Sequence, residues 1–189
     1  TILKDISNSG IITMSTSAFG DLYVAGNFSN AGTFTHNSRL VSFNGPSTQT
    51  ITGETTFGYL TVNDVNLANN ITVANTLTIN SSKTLTCNDK NITIGGGGAI
   101  SNSGTFSAGT GKVIFASGGT STVTGTVGFN NVDIAGGINF GTGSTVNGTL
   151  QINAGGFVST NAAIYATNST LKYASGTTYD RFTEWLSTG

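Results

Sequence analysis

The chain has 189 residues, enough for one domain of ordinary size, and only 8% of them are charged, against roughly 25% in average globular domains. A net charge of −1 offers no basic surface, so neither nucleic acid nor an anionic membrane is expected as a partner. Disorder is excluded as well, because 37% of the residues are apolar and they recur regularly, and the single cysteine, Cys87, leaves no internal disulfide.

The first residues, Thr1-Ile2-Leu3-Lys4-Asp5, carry no basic region followed by a long apolar run. Neither a signal peptide nor a membrane-inserting segment is expected in this stretch. Both ends fall inside a repeating texture, so the chain reads as a fragment or a processed product. Residues 1–26 read as the tail of an earlier unit. Their corner, Ile6-Ser7-Asn8-Ser9-Gly10, returns as Phe28-Ser29-Asn30-Ala31-Gly32 and as Ile100-Ser101-Asn102-Ser103-Gly104. The Asn residues of these corners suit left-handed backbone angles or stacked amide ladders.

From the second corner to the third the offset is 72 residues, and the match continues. Thr33-Phe34 recurs as Thr105-Phe106, Val41-Ser42-Phe43 as Val113-Ile114-Phe115, Thr52-Gly53 as Thr124-Gly125, and Phe57 as Phe129. Leu60-Thr61-Val62 becomes Val132-Asp133-Ile134. After a one-residue slip, Val73 maps to Val146, Leu77-Thr78-Ile79 to Leu150-Gln151-Ile152, and Leu85 to Val158. The apolar positions persist while the residues between them vary, as a packed interior with a solvated skin requires. One repeat covers about residues 27–98 and the next about 99–172, within a single segment spanning 1–189.

Inside the first repeat lie five short words: Leu60-Thr61-Val62, Ile71-Thr72-Val73, Leu77-Thr78-Ile79, Leu85-Thr86-Cys87 and Ile92-Thr93-Ile94. In a pleated strand the outer two residues of each word face inward and the Thr faces solvent. Asn, Ser, Gly and Lys separate the words, and no helical periodicity interrupts them. Glycine runs such as Gly95–Gly98 and Gly118-Gly119 suit corners where a side chain would clash. The pattern predicts an all-β fold, a right-handed parallel β-helix (β-solenoid) of triangular cross-section, with about three coils per repeat. The competing arrangement is an antiparallel sandwich. Very short strands and the scarcity of hairpin signals (Asn44-Gly45 and Asn147-Gly148) count against it.

Residues 173–189 change character. Tyr179-Asp180-Arg181-Phe182-Thr183-Glu184-Trp185-Leu186 concentrates aromatics and charges, and the segment reads as a cap over the last coil or as the start of the next repeat.

Two groups of residues carry a family resemblance. Val41-Ser42-Phe43-Asn44-Gly45, Gln49-Thr50-Ile51-Thr52-Gly53, Phe57 and Leu60-Thr61-Val62, followed by Leu77-Thr78-Ile79, form one, and Leu171-Lys172-Tyr173, Tyr179-Asp180-Arg181 and Glu184-Trp185 the other. Together they resemble the long repetitive cell-surface proteins of Bacteroidota, which include gliding-motility adhesins and large exoproteins carried by the type IX secretion system. The Gly-Tyr-Pro stretch that usually follows the second motif is missing here. The resemblance covers residues 27–189 and implies an extracellular or bacterial cell-surface location, with secretion or gliding machinery as a partner. It brings no catalytic residues and no cofactor.

The residues themselves announce no chemistry. Asp5, Asp21, Glu54, Asp64, Asp89, Asp133, Asp180 and Glu184 are scattered singly, whereas β-helical polysaccharide-degrading enzymes need clustered carboxylates. His36 is the sole histidine and implies no partner, and Cys87, matched by Thr160 in the second repeat, reads as a small buried filler. The glycine runs lack the Lys-Ser/Thr of a phosphate loop. Thr50-Ile51-Thr52, Thr76-Leu77-Thr78 and Thr84-Leu85-Thr86 place paired hydroxyls outward. Stacked on one flat face, these would bind ice or a polysaccharide; scattered, they only keep a low-charge surface wet. Tyr23, Tyr59, Tyr165 and Tyr173 could stack on sugars or pack locally. The expected role is that of a structural, adhesive rod with no enzymatic activity. A carbohydrate- or ice-binding solenoid, or a piece of a β-helical polysaccharide-degrading enzyme, stands as the alternative, and a surface polysaccharide or solid surface as the extracellular partner.

Overall fold

The structure is a computed structural model and describes residues 4–185. Its elements are strands of two to five residues, without a helix among the described residues. Three strands make each turn. The first turn holds β1 (Ile6–Asn8), β2 (Ile11–Thr13) and β3 (Leu22–Val24), the second β4 (Phe28–Asn30), β5 (Thr33–Thr35) and β6 (Leu40–Phe43). Next come β7 (Gln49–Thr52), β8 (Thr55–Phe57) and β9 (Tyr59–Val62), then β10 (Val65–Leu67), β11 (Ile71–Val73) and β12 (Thr76–Ile79). The fifth and sixth turns hold β13 (Thr84–Thr86), β14 (Ile92–Ile94), β15 (Ala99–Asn102), β16 (Thr105–Ser107), β17 (Lys112–Phe115) and β18 (Thr120–Thr124). The last are β19 (Gly128–Phe129), β20 (Asn131–Ile134), β21 (Gly137–Asn139), β22 (Thr145–Val146), β23 (Thr149–Asn153), β24 (Phe157–Val158), β25 (Ile164–Tyr165) and β26 (Thr170–Ala174).

Each ladder joins a strand, in parallel, to the strand three places later. The chain is therefore a three-sided parallel β-solenoid, and among the described residues no antiparallel pair supports a sandwich. The third face runs without interruption from β3 to β24. The first face lapses between β16 and β19, and the second between β5 and β8.

Alternation of side chains explains why such short strands suffice. Ile71, Ile92, Val113, Val132 and Leu150 are register partners on successive turns of the second face. All five are buried. Stacked aliphatic side chains of this kind contribute about 1.5–3 kcal/mol each, and the parallel ladders satisfy the backbone between them. Corners bind to the next turn in their own way. Asp5, Asp21, Asn27, Asp64, Asn70, Asn91 and Asn131 each accept, through Oδ1, a backbone N–H at or next to the first residue of a strand one turn later, at 2.6–3.1 Å.

The repeat has a consequence that residue counting does not show. Positions related by the 72–73-residue offset lie eleven strands apart: β4 corresponds to β15, β8 to β19 and β12 to β23. Eleven is not a multiple of three, so a repeat spans three and two-thirds turns, not three. Each strand's counterpart consequently lies on a different face. β6 stands on the third face, and its counterpart β17 on the second.

The interior nonetheless duplicates closely. Phe34 and Phe57 lie 5.8 Å apart at 55°, and their counterparts Phe106 and Phe129 lie 5.9 Å apart at 56°. Phe43–Phe57 at 6.3 Å matches Phe115–Phe129 at 6.2 Å. The ladder lapses are counterparts too, since β5 and β8 become β16 and β19. At each lapse an aromatic pair spans the gap that backbone hydrogen bonds leave.

Candidate functional site

The third face is the broadest uninterrupted surface. In register along it stand Tyr23, Ser42, Thr61, Thr78, Ser101 and Thr124, one hydroxyl per turn, of which Ser42 alone is buried. Beside this column runs a second, Leu40, Tyr59, Thr76, Ala99, Thr122 and Asn139. No charged residue occurs in either. Tyr59 rises at the edge of a depression of about 200 Å³, walled by Asn75 and Thr76 and floored by the Gly96–Gly98 corner. From β15 to β24 the turn before each third-face strand is built of small residues. Gly96 would press a Cβ into the Ser117 carbonyl and Gly119 into the backbone of Gly97, so the corner stays low.

The paired threonines do not form a grid. Thr76 and Thr78 are on the third face, but Thr50 with Thr52 and Thr84 with Thr86 are on the first, two turns apart. The other faces carry their own columns: Thr56, Thr72 and Thr93 on the second continue into Ile114, Asp133, Gln151 and Lys172. Only the third face combines uncharged columns with exposed tyrosines.

The corner asparagines behave differently from the left-handed alternative. Asn8, Asn30 and Asn102 are strand residues, buried to 6–8% exposure, and their amides point inward. Asn8 Nδ2 donates to Asn30 Oδ1 at 2.7 Å, and Asn30 Nδ2 to Thr55 Oγ1 at 3.0 Å, a short amide ladder. Asn102 donates instead to the Thr126 carbonyl at 2.7 Å.

The acidic residues remain apart. Asp64 pairs with Lys83 at 3.0 Å, and that hydrogen bond, with the N–H of Thr84, holds its carboxyl below the usual range despite some desolvation. Asp133 pairs with Lys112 at 2.7 Å, and Asp89 with Lys90 at 2.8 Å. Among the described residues no three His, Cys, Asp or Glu converge as a metal site would require. His36 Nδ1 accepts the Ser38 N–H at 2.9 Å, which makes it a turn residue. Cys87 is buried, and burial pushes its thiol up to about 12. Its counterpart Thr160 does not share that place; it is exposed.

At the C-terminal end the chain after β26 crosses the last turn. Thr183 Oγ1 donates to the Val158 carbonyl at 2.8 Å and the Phe182 ring lies 5.1 Å from Phe157. Glu184 is fully buried, accepting Tyr173 Oη and the Phe182 N–H, each at 2.9 Å. Tyr165 Oη donates to the Glu184 carbonyl at 2.6 Å. Tyr165 and Tyr173 thus serve the end of the solenoid, whereas Tyr23 and Tyr59 stand on the third face. Residues 175–185 act as a strap across the final turn; of the 173–189 segment expected to cap it, 173 and 174 belong to β26 and 186–189 lie outside the described residues. Among the described residues no helix is long and apolar enough to cross a membrane.

Comparison with protein-family models, curated proteins and solved structures finds no match to this chain.

Proposed function

We propose that this chain is a structural spacer: a stiff segment of a secreted or surface-tethered protein that carries adhesive regions away from a cell. The observation that carries this reading is the set of parallel ladders stacked on three faces through eight turns, with the third face unbroken. Load along the axis is shared by many backbone hydrogen bonds in parallel rather than by one strand pair. The role is mechanical and calls on no catalytic group. The resemblance to repetitive Bacteroidota surface proteins supports the extracellular setting, and with it type IX export, gliding or adhesion machinery as the partner.

The test is mechanical. With handles at the two ends and load along the axis, the segment should hold its folded length and then yield in a few large cooperative steps. Peeling turn by turn at low load would remove the spacer reading, because such a segment could not hold anything at a fixed distance.

A further inference from the structure

We infer that the third face binds an extended, uncharged polysaccharide laid parallel to the solenoid axis, with the depression beside Tyr59 as its main stacking site. This goes beyond the spacer reading and does not depend on it.

The periodicity comes first. Register partners on successive turns are about 4.8 Å apart. An extended chain of equatorially linked pyranoses advances by about the same distance per ring. One hydroxyl from the Thr61, Thr78, Ser101 and Thr124 column therefore meets each ring in turn. Neither sinuous nor helical glycans would keep that register over four turns.

The chemistry of the face agrees. Tyr23 and Tyr59 are 38% and 41% exposed and stand two turns apart. An aromatic ring packs against the C–H face of a sugar while its rim stays wet, which is the amphipathic balance of Tyr. Beside Tyr59 the Asn75 amide and Thr76 hydroxyl line the depression and enter no side-chain hydrogen bond among the described residues, so both remain for sugar hydroxyls. The Gly96–Gly98 floor carries no side chains, so a ring can lie against bare backbone there. The absence of charge from both columns selects against uronate or sulfate groups, whose desolvation nothing here would offset. The second face, with Asp133 and Lys172 in its column, lacks this character.

The probes are insoluble cellulose and chitin, with pectate as the anionic contrast, in a sedimentation assay on the whole chain. Retention on cellulose or chitin is expected, and on pectate not; which of the two is held tells whether the N-acetyl group matters. Tyr59→Ala and Thr78→Arg should each lower retention at least tenfold. Thr93→Arg, an equally outward substitution on the second face, should leave it unchanged. Urea midpoints of the three variants separate loss of binding from loss of fold. The proposal is overturned by retention on neither neutral polymer, by a preference for pectate, or by equal losses from Thr78→Arg and Thr93→Arg.

Discussion

Single residues hold the turns together at points where strands cannot. Gln49 is buried at 2% exposure, where its Nε2 donates to the carbonyls of Val24 and Gly26 and its Oε1 accepts the Gly45 N–H. This is why Asn44-Gly45 makes a solenoid corner and not a hairpin. Gly53 and Gly125 are counterparts with φ of +87° and +79°, and a Cβ on either would strike the carbonyl of Asn30 or Asn102. Gly125→Ala should therefore cost about 1–3 kcal/mol from backbone strain alone. Gly10→Ala, with open space around its Cβ position, should change little. Equal urea midpoints for the two variants would refute this account. Titration gives a further prediction. Burial raises the Cys87 thiol from 9.0 to about 12, and burial followed by the Glu184 charge raises Tyr179 to about 12. Folded, these groups keep protons that the unfolded chain releases at lower pH. Their contribution is thus fully present below about pH 9 and is lost as pH rises toward 12. Urea midpoints should fall across that window, less so in Cys87→Ala, and a thiol reagent should reach Cys87 only on unfolding.

Among the elements, the apolar–Thr–apolar words were legible because a strand with one buried face has to alternate. Leu60–Val62, Ile71–Val73, Leu77–Ile79 and Ile92–Ile94 all lie within strands. Val65–Leu67 escaped the same pattern. Its outward residue is Asn66, and it directly follows Asn63-Asp64, a pair that reads as a turn. Turn signals and corner-capping signals are the same residues here, since Asp64 bonds the N–H of Thr84. The terminal strap is held by side-chain bonds from Thr183, Tyr165 and Tyr173. Chains ending at Ala174 should expose Phe157, Val158 and Leu171 on the last turn and associate end to end, because uncovered strand edges recruit other strands. Sedimentation velocity over a range of concentrations would show it. A truncated chain that stays monomeric with an unchanged urea midpoint would mean that the strap covers nothing of consequence.

For the molecule as a whole, the eleven-strand repeat turns the pattern by a third of a revolution each time it recurs. The two ladder lapses illustrate this, one on the second face and its counterpart on the first. Weak points so distributed do not bias the rod toward one side. Interior equivalence has an energetic corollary: Phe57→Ala and Phe129→Ala, in matching aromatic clusters behind different faces, should each destabilise by about 3–5 kcal/mol and by similar amounts. A twofold disparity in urea unfolding would show that the clusters are alike in shape only. Inserting a second copy of residues 99–169 after Ser169 should lengthen the rod by about 18 Å, at about 4.8 Å per turn, which small-angle scattering would register. An unchanged maximum dimension would refute the stacking.

By itself the sequence determined which side chains go in and which go out, and hence the class of fold, because a period of two along very short strands needs no knowledge of neighbours. Only the tertiary structure decided which outward residues share a face. A turn consumes anywhere from 16 residues, as between Thr50 and Asn66, to 23, as between Phe28 and Ile51. Corners absorb that variation without disturbing the ladders, so distance along the chain carries no record of rotation about the axis. Tyr23, Tyr59 and the hydroxyl column come together on one side because backbone hydrogen bonds, not spacing, set where each turn closes.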